Sequence, residues 1–259
     1  MKGYDSIGTV NESALHRALK IRYAGEESRT EMVLEGFICD GLRANGEIIE
    51  VQTGNFCKVE KKLRKLAALR PIRLVYPIIT EKYIELFDET GTLLSRKKSP
   101  KKGCIWDIFR PLIYAPNLPA IPGLVVELAP VVAAEQRIRN GKGSWHRHGD
   151  SISGLEALDF REAIPLAFPQ DYDRFVPFPP NQLFTVRNLA IAAHIRSNLA
   201  QKTLYVLVKL GIVARLYKEG RTYIYTLVSP KKAYQESTGS SSSRLFSAKR
   251  SVSTRRSSK

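Results

Sequence analysis

Residues Asp40 to Thr53 read D-G-L-R-A-N-G-E-I-I-E-V-Q-T, two short apolar runs on either side of Ala44-Asn45-Gly46. Asn-Gly between alternating segments is hairpin chemistry. The length of the turn decides what the acids on its two arms can do. A two-residue Asn45-Gly46 turn sets Gly41 opposite Glu50 and leaves Asp40 on the other face. A three-residue turn, with Gly46 left-handed as a bulge, pairs Arg43 with Glu47 and therefore Asp40 with Glu50, with Gln52 on the same face. The three-residue turn is the reading adopted. Directly opposed side chains have Cβ atoms about 4.5–5.5 Å apart. Two carboxylates that close repel unless a cation lies between them, and their hard oxygens suit Mg²⁺, held by Asp40 and Glu50. A solvated surface hairpin is the plainer alternative. Against it, Ile38, Leu42 and Ile48 line one face and Phe37, Ile49 and Val51 the other, the mark of a sheet covered on both sides.

Upstream, Asn11 is placed to cap a helix over 12–22, with Ala14, Leu15, Ala18, Leu19 and Ile21 as its apolar stripe. Glu12, His16 and Lys20 follow one another by one turn beside that stripe. An acid in a first turn also simply complements the helix dipole. Residues 31–38 read as a strand leading into the hairpin. Residues 58–69 read as an amphipathic helix, with Val59, Leu63, Leu66 and Ala67 on one face and Lys58, Lys61, Lys62 and Lys65 on another. Pro71 ends it, and residues 72–79 follow as a buried strand. Strand, helix, strand implies a right-handed parallel crossover.

Residues 10–80 resemble the PD-(D/E)XK nuclease superfamily: a helix bearing an acid, a hairpin bearing Asp and Glu-x-Gln-Thr, then a helix and a strand. The resemblance implies a restriction-endonuclease-like αβββαβ core with a mixed sheet, an α/β (α+β) fold. It makes Glu12 the helix acid, Asp40 the motif acid, and Glu50 with Gln52 the Glu-x-Lys pair. These four are the candidate catalytic residues. Cys39 stands where the motif has Pro, and Gln52 where it usually has Lys. Some superfamily members carry the lysine on the neighbouring helix, which makes Lys58 and Lys62 candidates for that role; His16 is placed near the scissile phosphate.

Further on, 82–87 and 92–96 read as a second hairpin around Asp88–Gly91. A basic loop over 96–102 either is a solvated connection or grips phosphates. Residues 105–114 suggest a helix broken at Pro111, and 124–134 a strand or short helix. The run Gly141-Lys142-Gly143-Ser144-Trp145-His146-Arg147-His148 is glycine-rich, basic and aromatic but fits no nucleotide-binding motif. His146, His148 and Asp150 suggest a metal less well than they suggest a solvated loop. Residues 175–180 read as a proline-rich linker.

Residues 185–228 resemble a winged helix-turn-helix. Helices over 185–195 and, capped by Ser197, over 198–210 precede a hairpin around Lys218-Glu219-Gly220-Arg221. Such a motif offers the start of its second helix to the major groove. The residues so placed are Arg196, Asn198, Gln201 and Lys202, with Arg221 at the wing tip, as the candidate DNA-binding set.

The domain reading is a nuclease-like core over 1–103, an extension with a linker over 104–180, a winged helix over 181–230 and a disordered basic tail over 231–259. Net charge is +16 and the pI about 9.8, which calls for a polyanionic partner, nucleic acid and DNA first. The tail carries eight Lys/Arg against one acid, so +9 belongs to the rest. Cys39, Cys57 and Cys104 have no zinc spacing and read as reduced thiols of a cytoplasmic protein. No apolar run approaches the ~20 residues that span a bilayer. The expected function is Mg²⁺-dependent hydrolysis of DNA phosphodiester bonds. A catalytically inactive DNA-binding protein or regulator on the same scaffold is the alternative. Cutting both strands would favour a homodimer.

Overall fold

The computed structural model describes residues 13–26 and 29–228. They belong to one compact unit, an α+β fold built on a mixed sheet. Chain order begins α1 (Ala14–Ala24), β1 (Thr30–Leu34), β2 (Phe37–Leu42), β3 (Ile48–Val51), α2 (Phe56–Ala67) and β4 (Ile72–Phe87). The expected α-β-β-β-α-β order is therefore present. Next come β5 (Leu93–Lys98), α3 (Phe109–Leu112), β6 (Leu124–Arg139), β7 (Asp150–Phe160) and β8 (Ile164–Leu166). The described chain ends with α4 (Val186–Ala192), α5 (Ser197–Lys209), β9 (Val213–Glu219) and β10 (Thr222–Leu227). No described helix is long and apolar enough to cross a membrane. Glu12, Asn11 and the segment 231–259 lie outside the described residues.

The sheet runs β1-β2-β3-β4-β6-β7, with β5 on β4 beyond the end of β3 and β8 on β6 beyond the end of β7. β3, β4 and β6 are parallel and the other pairs antiparallel. All four side chains of β3 are buried, as expected of a strand covered on both faces. α1 covers one face, seating Leu15, Leu19 and Tyr23 over Ile49, Val51, Val75 and Val131. α2 and the later helices cover the other, around Ile48, Leu74, Val126, Phe109 and Leu204.

The turn at Ala44–Gly46 has the three-residue form. The Arg43 N–H donates to the Glu47 carbonyl at 2.9 Å, Leu42 faces Ile48, Gly41 faces Ile49, and Gly46 has φ +83°.

Several readings are corrected. The strand expected over 31–38 is two strands, reversing at Glu35-Gly36, where both residues have positive φ (48° and 76°); that is the type I′ geometry whose twist suits a two-residue hairpin. α1 is capped by the Ser13 side chain, which accepts from the His16 N–H. Its buried stripe is Leu15, Leu19 and Tyr23 with Lys20, while Ala14 is exposed. The separate strands expected at 72–79 and 82–87 are one strand, because β6 pairs with it from Ile72 to Phe87. Arg96, Lys97 and Lys98 lie on β5 rather than in a loop. Pro111 sits inside the short α3, which continues a 3-10 turn over Ile105–Ile108. Residues 124–139 are strand. Pro130 is tolerated where the neighbour of β6 changes from β8 to β7, since Leu128 pairs with Ile164 and Val131 with Phe160.

The segment 104–180 is largely structured, and the proline-rich stretch is no free linker: Phe175 is fully buried, packing edge-on against Phe109. Ser197 opens the first turn of α5, whose N-cap is Arg196. The final hairpin reverses at Gly220-Arg221, with Glu219 opposite Thr222.

Candidate functional site

β2 and β3 stop pairing as a ladder after Gly41–Ile49, and Asp40 fills the fork. Its Oδ2 accepts the Val51 N–H at 2.8 Å, so a side chain replaces the backbone partner that β2 no longer supplies. Two residues of α1 reach the same carboxylate. His16 Nε2 lies 3.4 Å from Oδ2 and Lys20 Nζ 3.3 Å from Oδ1. Lys20 is only 7% exposed and also donates to Glu31 at 3.2 Å. Gly41 allows this close approach of α1. A Cβ there would stand 2.9 Å from the Ala24 Cβ.

Glu50, the neighbour across the fork, is 3% exposed. Its Oε2 accepts from Lys62 Nζ at 2.5 Å, and its Oε1 from the Gln52 amide at 3.3 Å. Lys62 also donates to the Ile38 carbonyl at 2.6 Å, where β2 still pairs with β1 but no longer with β3. α2 can deliver Lys62 here because its apolar face, Phe56, Leu63 and Leu66, is buried against the sheet.

The two carboxylates are pushed apart in acidity. Burial by itself would raise the Asp40 pKa. Hydrogen bonds from His16 and the Val51 N–H, with the charges of His16 and Lys20, outweigh it and hold Asp40 below the usual carboxylate range. Burial and then the negative charge of Asp40 raise Glu50, and Lys62 and Gln52 only partly offset them. A close carboxylate pair titrates in this divided way.

The structure thus brings Asp40, Glu50 and Gln52 together and adds His16, Lys20 and Lys62. Lys58 is exposed at the start of α2. The carboxylate oxygens of Asp40 and Glu50 are the hard ligands that magnesium takes, with phosphate oxygens and water to complete its shell; in this structure Lys20, His16, the Val51 N–H, Lys62 and Gln52 engage them. No group of three His, Cys, Asp or Glu suited to a metal occurs among the described residues; His146, His148 and Asp150 make no such cluster. On the α1 face, Arg73 bridges Glu47 and Glu127, and Arg43 adds a second guanidinium to Glu47 at 2.7 Å. This ladder ties β3, β4 and β6 beneath the site.

The other predicted set is on α5 and the last hairpin. Arg196, Asn198, Gln201 and Arg221 are exposed, and Lys202 is half-buried. Leu199, Ala200, Thr203, Leu204, Val206 and Leu207 are buried, so Asn198, Gln201 and Tyr205 form an outward stripe. Tyr223 lies under Arg215 and Lys218, 4.7 and 5.5 Å from its ring centre.

Residues 13–167 match a family model described as a domain of unknown function, DUF8091. An uncharacterized protein of Treponema pallidum (strain Nichols) is 40% identical over 105 residues. That match covers 40% of this chain and 42% of the relative, so it spans less than half of either protein. No solved structure matches the chain.

Proposed function

The chain belongs to the DUF8091 family, whose function is undescribed, and from the chemistry of the fork between β2 and β3 we propose a magnesium-dependent nuclease acting on DNA. The observation that carries this reading is Lys62 on Glu50. A PD-(D/E)XK-type site needs a cation beside its second acid, and Gln52 cannot supply one. Lys62, one helix away, puts an ammonium on that acid. The αβββαβ order and the Asp40–Glu50 fork support the same reading.

Asp40 and Glu50 would hold the ion, which when bound would neutralise phosphate charge and ease attack by water. Lys62 would set positive charge beside the phosphate as negative charge builds on it, the kind of fixed electrostatic help that usually dominates catalysis. Lys20 and His16 would keep Asp40 ionised and oriented. Gln52 donates its N–H to Glu50, which turns its amide oxygen outward as an acceptor able to orient water. The helix pair α4–α5 and the β9–β10 hairpin would supply DNA contacts in the manner of a winged helix, through Arg196, Asn198, Gln201, Lys202 and Arg221. The excess of basic residues supports a polyanionic substrate.

The test is incubation of the full chain with plasmid and single-stranded DNA in Mg²⁺, Mn²⁺ or EDTA, beside Asp40→Asn. Metal-dependent cleavage that the variant lacks, with DNA binding kept, is the expected result. Tight binding with no cleavage in any metal would replace this reading by the inactive DNA-binding one.

A further inference from the structure

At the end of the β6–β7 hairpin, Trp145 is 82% exposed. Indoles bury large areas and are seldom left so open without a partner. Here the backbone holds the ring outward. Arg139 faces Asp150 at the base of the loop, and the Gly143 N–H donates to the Gly149 carbonyl at 2.7 Å. Asn140 ties Ser151 Oγ and the Lys142 N–H, and Arg147 Nε donates to the Asp150 carbonyl at 3.2 Å. Gly143 is obligatory, since a Cβ there would fall 1.8 Å from the Asp150 carbonyl oxygen. Residues 145–147 form a 3-10 turn that ends at His148, itself left-handed at φ 54°. The tip is a fixed mount for one aromatic side chain.

Its surroundings are polar and basic. Arg139, Lys142, His146, Arg147 and His148 stand against Asp150. The His146 ring meets the indole edge-on at 4.9 Å. No second large apolar side chain lies within residues 140–149, whereas a membrane-seeking tip needs an apolar surface of several such residues. A single ring amid cations matches the way single strands are bound, with bases stacked on aromatics and phosphates held by Lys and Arg.

We propose that Trp145 is a stacking platform for an unpaired base of a nucleic-acid strand, whose phosphates are held by the tip cations. This rests on the nucleic-acid half of the function proposed above and not on cleavage.

The chain has two tryptophans. Trp106 is half-buried, donating to the Phe175 carbonyl at 3.4 Å, so Trp106→Phe leaves Trp145 as sole reporter. In an Asp40→Asn background, to prevent cutting, a fluorescein-labelled oligo(dT) of about 20 nucleotides gives binding by anisotropy. The unlabelled strand gives Trp145 quenching. Quenching that saturates with the anisotropy is expected, together with an about tenfold weaker affinity in Trp145→Ala and a much smaller loss in Trp145→Phe. If Trp106→Phe does not fold, the emission lost between the parent and Trp145→Phe gives the same signal. Binding by anisotropy with unchanged Trp145 emission and an unaffected Trp145→Ala overturns the stacking site while sparing the nucleic-acid reading. No binding in either assay removes both. A blue shift with phosphatidylserine vesicles and no response to oligo(dT) overturns it in favour of a membrane.

Discussion

The Lys62 ammonium sits 2.5 Å from Glu50 Oε2 and 2.6 Å from the Ile38 carbonyl, clamping an acid on a central strand to the part of β2 that has parted from β3. Lys62→Met removes the cation and leaves a buried carboxylate with only the Gln52 amide as a donor. Breaking such a pair costs about 3 kcal/mol. Adding Glu50→Gln to Lys62→Met removes the orphaned charge and should recover most of the loss. Urea unfolding of the parent, both single variants and the double variant checks this, and equal stability of the Lys62→Met single and double variants would contradict it.

The same residue gives a catalytic prediction. Lys62→Met should lower the cleavage rate by about 10²–10³, the usual effect of removing one fixed transition-state donor. Gln52→Lys in that background returns an ammonium to Glu50 from within the hairpin and should restore at least a tenth of the activity. Single-turnover cleavage of a defined duplex measures both, and a Gln52→Lys that rescues nothing would separate Lys62 from that role.

Gly41 sets the gap between α1 and the sheet. A Cβ there lies 2.9 Å from the Ala24 Cβ, so Gly41→Ala should cost about 2 kcal/mol through overpacking. It should also reduce cleavage by shifting His16 and Lys20 from Asp40. Ala24→Gly in the same chain removes the clashing atom and should return activity before it returns full stability, because a helix-terminal Gly has its own entropic cost. Thermal melts and cleavage rates of the parent, the Gly41→Ala chain and the double variant test this.

Glu135 on β6 accepts from Lys82 at 2.6 Å and from Arg137 at 2.5 Å. Burial by itself would raise its pKa, but the two cations outweigh burial and hold it below the usual range. A depressed carboxylate stabilises the fold above its unfolded pKa, and that contribution is lost as pH falls through the lower folded value. Glu135→Gln should therefore be less stable than the parent by on the order of 1 kcal/mol at neutral pH. The gap should close once the pH drops below the ordinary carboxylate range. Unfolding midpoints measured from pH 7 to pH 3 read it out; a gap that widens in acid would reverse the assignment.

The hairpin at the heart of the site was legible because Asn45-Gly46 and the alternation on both arms leave few registers open. Lys20 was visible only as a member of a helical face. Lys62 could be nominated from the missing Lys at position 52, but no spacing on α2 separates it from Lys58 or Lys61; packing of Phe56 and Leu63 decides which lysine reaches Glu50. The Glu35-Gly36 reversal escaped because Glu is a poor marker of positive φ. Thr80-Glu81-Lys82 reads as a break in an apolar run, yet the strand bulges at Thr80 and continues because β6 pairs with it on both sides. Phe175 shows the converse: prolines announce a linker, while its burial is fixed by Phe109, 66 residues earlier in the chain.

The long pairing of β4 with β6, broken only by a bulge at Thr80, also fixes a length. The fork lies level with Leu74 and Val126, and the β6–β7 tip begins after Arg139. At ~3.3 Å per residue the strand between them covers on the order of 40 Å. Any molecule touching the carboxylates and Trp145 at once must reach that far, about a dozen nucleotides at the 3.4 Å spacing of a duplex strand. If both contacts of the proposed function form, shorter fragments would occupy one end only, and the pair would act as a gauge that separates long strands from short ones.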